Sequence, residues 1–359
     1  MINKNLNLFL KFIFIFFSLV IINFLLYRNF SLYPSVMGDE YINNIFSKNT
    51  DFKDMLIPSY IYFYSYKVTY ACGSDYLNCV RYLNILFFVF GIYFTYLLAK
   101  KFSNQNYSKI LFILLLIGPY NIYTAYFMAE SMYFCLIWFT FYLTFSLKIN
   151  KGYYFIIGFI LGLCSMVKPH AIFFIPVFVM YFSILSKSIT KNLLNNALFI
   201  FSFFFIKFML SIFANVEFSI FGNYYSHAVI SYTDINLNEF LRIIKFYFIN
   251  FYGIISFLLI IFCLPILITI QNFIIHIQKR KNYKLDDFSI FILFVLTFII
   301  IVYSVFSGFS ANFHFNKDIP FENSFRLNNR YYFFIFPLLL IFFLKEMTST
   351  DKKNYNTKF

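Results

Sequence analysis

The stretch LNLFLKFIFIFFSLVIINFLL, Leu6 to Leu26, decides the fold class. It is an apolar run interrupted by one charge, Lys11, and a bilayer core needs about 20 such residues to be crossed by a helix. A secretory signal would have a shorter apolar core and a small-residue cleavage site. Neither occurs here, so the run reads as a retained first membrane helix. Further apolar runs with charged flanks fall near Tyr82–Ala99, Ile110–Phe127, Met132–Leu147, Tyr153–Val167, Ala171–Leu185, Leu193–Phe213, Phe246–Ile270, Phe288–Ser307 and Tyr331–Leu344. Composition agrees. Of 359 residues, 61% are hydrophobic and 12% charged, and the mean hydropathy is +0.73. A soluble domain carries about 45–50% apolar and about 25% charged residues. The expected fold is all-α: a polytopic integral membrane protein of about ten spans.

Charge sets the expected orientation. With the N-terminus in the cytoplasm, Lys100, Lys101, Lys109, Lys148, Lys151, Lys187, Lys191, Lys279, Arg280, Lys281 and Lys345 lie in short inside segments, as the positive-inside rule requires. The net charge of +14 is thereby assigned to membrane topology and not to a nucleic-acid partner. Most acids fall outside, among them Asp39, Glu40, Asp75, Glu130, Glu217, Asp318 and Glu322. The expected organisation is one transmembrane domain over 1–345. It has a first extracytoplasmic loop at 27–81, outer loops at 214–245 and 308–330, and a short basic cytoplasmic tail at 346–359. Cys72 and Cys79 lie seven positions apart in the first outer loop, where an oxidising compartment permits either a disulfide or two free thiols. Cys135, Cys164 and Cys263 read as packing residues. No P-loop, Rossmann glycine pattern, zinc-type cysteine spacing or internal repeat is present.

Candidate chemistry gathers on the outer side. Gly38-Asp39-Glu40 opens a segment in which Ile42, Ile45 and Phe46 recur at helical spacing, which predicts a short amphipathic helix on the membrane surface. Acids there also suit a plain helix cap. Arg81 stands where the loop re-enters the membrane. Glu130 stands in the turn Ala129-Glu130-Ser131, Lys168 in Lys168-Pro169-His170, and Arg330 at the start of the last span. Each cation alone reads as an ordinary snorkelling side chain. Together they offer carboxylates to deprotonate a hydroxyl and cations to hold a phosphate.

These residues also carry a resemblance. Gly38-Asp39-Glu40, Arg81-x-x-Asn84, Pro119 with Glu130, Gly162-x5-Lys168-Pro169 and Arg330-Tyr331-x5-Pro337 resemble, in order and spacing, the GT-C glycosyltransferases. They are most similar to glycosyltransferase family 39, the protein mannosyltransferase and aminoarabinose transferase group. The similarity covers Asp39 to His170, with one more match near Arg330. It implies transfer of a hexosyl or pentosyl group from a polyprenyl-phosphate donor to an extracytoplasmic acceptor, with inversion. The acceptor would be a lipid-linked glycan, a cell-envelope polymer or a protein.

Under this resemblance Asp39 matches the general base and Glu40 supports it. Arg81, Lys168 and Arg330 would bind the donor phosphate, and Glu130, Tyr60 and His170 would position sugar or acceptor. No cofactor is required, and a divalent cation stays open. The stretch Ile57-Pro58-Ser59-Tyr60 lacks the histidine that relatives often carry after the acidic pair, which leaves any contact of that histidine without a counterpart. The outer-loop residues His227 and His314 read as solvated. The expected location is a bacterial inner membrane. The readings that compete are a polysaccharide polymerase, a lipid flippase or transporter, and a purely structural membrane protein.

Overall fold

The computed structural model describes residues 2–30, 38–49, 58–186, 188–220, 236–261, 263, 267, 286–316 and 333–356. Among them every regular element is a helix. The helices are α1 Ile2–Asn29, α2 Gly38–Asn49, α3 Tyr60–Lys67, α4 Tyr76–Phe102, α5 Gln105–Ile117, α6 Glu130–Ser146, α7 Lys151–Ser165, α8 Phe174–Leu185 and α9 Ile189–Phe213. They continue with α10 Leu237–Ile261, α11 Asp287–Asn316 and α12 Phe336–Asn356. Asparagine starts several of them. Asn104, Asn150 and Asn236 each accept a bond from a backbone N–H of the first turn, at 3.1, 2.9 and 2.9 Å.

Four helical stretches among the described residues are long and apolar enough to cross a membrane: Lys11–Asn29, Tyr60–Phe102, Ile189–Phe213 and Leu237–Ile260. A fifth arises if α5 and the 3-10 turn Pro119–Ala125 count as one span bent by 46°. The run expected over Ile110–Phe127 is therefore not a straight helix. Gly118-Pro119 ends α5, because proline supplies no N–H to continue it. Lys151–Ser165, Pro169–Leu185 and Asp287–Val302 are shorter apolar helices. Two expected loops are partly helical: α10 begins at Leu237, inside 214–245, and α11 runs to Asn316, inside 308–330. The expected tail is helical to Asn356.

Where the sequence suggests one domain, contacts divide the chain into two compact units. The first is Met1–Ala171 with Ala197–Tyr224, and the second is Ile172–Asn196 with Tyr225–Phe359. In the second unit Phe178 meets Phe291 at 5.4 Å and Phe174 meets Phe334 at 6.0 Å, ring centre to ring centre.

In the first unit α4 packs along α6, with Phe94 against Phe139 at 4.8 Å, while Phe14 of α1 meets Phe112 of α5 at 5.3 Å. The first unit also holds a close crossing of α7 and α9. A Cβ on Gly158 would lie 2.2 Å from the Phe199 carbonyl oxygen, and one on Gly162 would lie 2.8 Å from that of Phe203. Gly158 and Gly162 form a small-xxx-small pair, which lets helix backbones touch where lipid gives no hydrophobic drive to associate.

Candidate functional site

The candidate site is built around an irregular segment, Tyr126–Ala129, that joins the 3-10 turn Pro119–Ala125 to α6. Such a segment leaves backbone polar groups without helical partners, and buried ones must be satisfied by side chains. Helices α2 and α4 supply them, while α3 braces α4 and α1 holds the preceding 3-10 turn. Arg81, near the start of α4, donates from Nε to the Ala125 carbonyl at 3.2 Å and from Nη1 to Asn78 Oδ1 at 3.3 Å. Asn84, one turn on, donates to the Tyr126 carbonyl at 2.6 Å, and its own Oδ1 accepts from the Tyr66 hydroxyl of α3. From α2, Glu40 Oε1 accepts from the Phe127 N–H at 2.7 Å and Asn43 donates to the Phe127 carbonyl at 2.7 Å. At the end of α1, Arg28 donates to Asn121 Oδ1 at 2.7 Å, to the Asn121 carbonyl at 3.0 Å and to Thr124 Oγ1 at 3.2 Å. Asn29 adds a bond to Thr124 Oγ1 at 2.8 Å.

The amphipathic helix expected after Gly38 is present as α2, and its docking explains its pattern. Glu40, Asn43 and Ser47 share one face, and that polar face turns into the protein. Glu40 is 7% exposed and Ser47 is buried, while Tyr41, Ile42 and Ile45 lie exposed. Phe46 packs on Phe63 of α3 at 5.6 Å. The arrangement suits a helix lying on a membrane, with its apolar face toward lipid and Glu40 toward the protein. Asp39 lies in the first turn of α2, and its side chain is outside the described residues.

At the start of α6, Glu130 pairs with Lys168, which follows α7, at 2.8 Å from Oε1 to Nζ. Tyr62 of α3 is fully buried and lies within electrostatic reach of both Glu40 and Glu130. Among the described residues Glu40 Oε2, Ser47 Oγ, the Tyr62 hydroxyl and Ser131 Oγ are buried and make no hydrogen bond. Buried polar atoms are normally bonded, to protein or to something bound.

The first unit thus brings Glu40, Arg81, Glu130 and Lys168 to the end where α1 and α7 finish and α4 and α6 begin. Tyr60 opens α3 and is buried, and His170 sits in the 3-10 turn Pro169–Phe173 directly after Lys168. Cys72 and Cys79 are bonded as a disulfide with Cα atoms 6.6 Å apart, at the start of α4 beside Asn78 and Arg81. Gly73 within that link has φ +61°, a conformation that costs glycine little and other residues more. Arg330 and His227 lie outside the described residues, as does the side chain of His314. Among the described residues no group of three or more His, Cys, Asp and Glu is arranged to hold a metal ion.

Arg28, Asn29, Asn121 and Thr124 are the members that the sequence reading misses. Arg28 had a signal, as a cation closing the first apolar run. The asparagine and threonine had none, because their role depends on a bend that brings distant segments together.

Comparison with protein families, curated proteins and solved structures finds no match to this chain.

Proposed function

We propose that the protein is a membrane glycosyltransferase of GT-C type that moves a sugar from a polyprenyl-phosphate donor to an extracytoplasmic acceptor with inversion. The observation that carries this reading is the docking of α2. The Glu40–Phe127 bond fastens the helix bearing Asp39 against the segment that leads into Glu130 and its partner Lys168. Carboxylates and a cation from three distant stretches then share one end of one unit. Unpartnered buried oxygens beside them suit a polar ligand that completes their bonding.

In this reading Asp39 takes the proton of the acceptor hydroxyl. The acceptor oxygen then attacks the anomeric carbon, and the bond from that carbon to the phosphate oxygen breaks with its electron pair left on the phosphate. Lys168 neutralises the departing phosphate, and a cation held there acts where charge develops. Glu130 sets the position of Lys168, while Tyr60 and His170 flank the sugar and acceptor. Arg81 is 3% exposed and bonded to a backbone carbonyl, so it acts as a positioning residue for the Ala125–Phe127 segment. The full reading keeps about ten spans, an active site on the extracytoplasmic face of a bacterial inner membrane, and a disulfide suited to that compartment.

The test is sugar release from a panel of polyprenyl-phosphate sugars. Purified wild type and Asp39→Asn are reconstituted in lipid with a membrane extract as acceptor source. Loss of the base should lower release by about 10²–10⁴-fold in a protein that keeps its Tm. Equal release by both proteins removes Asp39 as the base, and release from no donor overturns the transferase reading.

A further inference from the structure

We infer that Lys207 is the cation of a buried phosphate-binding site on α9, separate from the residues assigned to sugar transfer. Lys207 lies within the apolar candidate span Ile189–Phe213 and is 1% exposed. An ionisable side chain inside a membrane helix is costly and is kept where it meets a partner. Yet among the described residues no carboxylate approaches it. Its Nζ donates to one neutral acceptor, the Ile220 carbonyl, at 3.1 Å, and the Phe203 ring centre lies 6.0 Å away. An ammonium carries three N–H donors, and among the described residues one of them is met by an oxygen.

The chain beyond α9 is folded to cover this group. Asn215 takes the left-handed conformation, φ +53°. Its N–H bonds the Ile212 carbonyl at 3.0 Å and the next N–H bonds that of Ser211 at 3.0 Å, a Schellman cap that reverses the chain. The returning segment stacks Phe218 edge-on against Phe208 at 6.0 Å and delivers the Ile220 carbonyl to Lys207. A neutral carbonyl is a weak occupant for a buried ammonium, and an anion entering beneath this strap would displace it with a stronger, charge-assisted bond.

The anion most available at membrane depth is a lipid phosphate. Phe201, Phe205, Phe208 and Ile212 form an exposed apolar stripe on the same helix, along which an acyl or prenyl chain can lie. The shared chemistry is a phosphate group, whether carried by a lipid or free.

The test uses the full chain, stripped of lipid in detergent. Saturable binding is followed by thermal shift and by native mass spectrometry. The probes are polyprenyl phosphate, phosphatidylglycerol, inorganic phosphate and uncharged polyprenol. Wild type should bind the phosphate probes and not polyprenol. Lys207→Met should weaken phosphate binding by about 10–100-fold, and Lys207→Arg should retain it.

Inorganic phosphate binding as tightly as the lipids would assign a free-anion site. Lipid-only binding would assign a lipid site. A purely structural lysine would lower the Tm of the empty protein when replaced, whereas a ligand cation freed of its burial cost leaves that Tm equal or higher in Lys207→Met. Equal phosphate binding by wild type and Lys207→Met overturns the inference. So does a polyprenol shift in wild type matching that of polyprenyl phosphate, a result that needs no variant. Phosphate binding that depends on Lys207 with no sugar release leaves this site standing and removes the transferase reading. Sugar release with binding indifferent to Lys207 does the reverse.

Discussion

Each unit contains a carboxylate–ammonium pair, and the two pairs are built differently. In the first unit Glu130 and Lys168 are 10% and 14% exposed, and the chain next to Glu130 is an irregular segment held by Glu40, Asn43, Arg81 and Asn84. In the second unit Asp286 is 46% exposed and its partner Lys345 comes from α12. Asp286 stands one residue before α11, where its backbone carbonyl accepts the Ile290 N–H at 3.1 Å and its side chain accepts from Ser289. One pair adjoins a network that holds non-helical backbone in place, and the other sits at a regular helix start. Charge does structural work only where it satisfies groups that helices leave open. The two regions should therefore respond very differently when charges are removed.

The largest stability effect is expected at Arg81. Arg81→Met removes the donor to the Ala125 carbonyl and leaves Glu40 without its neighbouring positive charge. Breaking a buried charged contact on one side costs about 3–5 kcal/mol, read as a large fall in Tm of the purified protein in detergent. Adding Glu40→Gln should recover part of the loss, since the amide oxygen still accepts the Phe127 N–H without an unpaired charge. An Arg81→Met protein with wild-type Tm would show that the segment does not depend on this guanidinium.

A middle-sized effect is expected where α7 meets α9. Gly158→Ala drives a Cβ to 2.2 Å from the Phe199 carbonyl oxygen, which is backbone and cannot swing aside. Overpacking of this kind costs about 1–3 kcal/mol. At Gly162 the nearest atom is Ile206 Cγ2 at 2.3 Å, the end of a side chain that can turn, and the closest backbone atom is 2.8 Å away. Gly162→Ala should therefore cost less. Thermal denaturation of the two variants side by side checks the order, and the reverse order would mean that the helices cross elsewhere.

Much of this architecture was legible in the chain. The run Leu6–Leu26 announced a long apolar helix, and Gly38 the start of a short one. The spacing of Cys72 and Cys79 allowed the bond that forms. Glu130 and Lys168 were expected at a common end because each sits in a turn between apolar runs. What escaped was how α2 is held on its other face. Ile42 and Ile45 read as its defining stripe, whereas Glu40 and Asn43 do the docking, because the partners are backbone groups that no residue pattern reveals. Arg28 and Lys207 escaped for a different reason. A lone cation in or beside an apolar run looks like a tolerated exception until its carbonyl and hydroxyl partners from distant sequence are in view.

The smallest effect is expected at Asp286, and its sign follows from the groups around it. Burial pushes its carboxyl up. The bonds from Lys345 and Ser289 and the charge of Lys345 more than offset this, so the group is held below its ordinary value. A carboxylate whose folded value is depressed stabilises the folded state above its unfolded pKa, about 3.9, and loses that contribution as pH falls through the folded value. The Tm difference between wild type and Asp286→Asn should then be present at neutral pH and close in acid. It should also shrink with added salt, because the carboxylate is 46% exposed. A partly exposed ion pair is worth under about 1 kcal/mol, well below the Arg81 effect. A gap that persists unchanged in acid and in high salt would mean that Asp286 acts as a neutral cap of α11 through Ser289. In that case the contrast between the two units would rest on the Arg81 network alone.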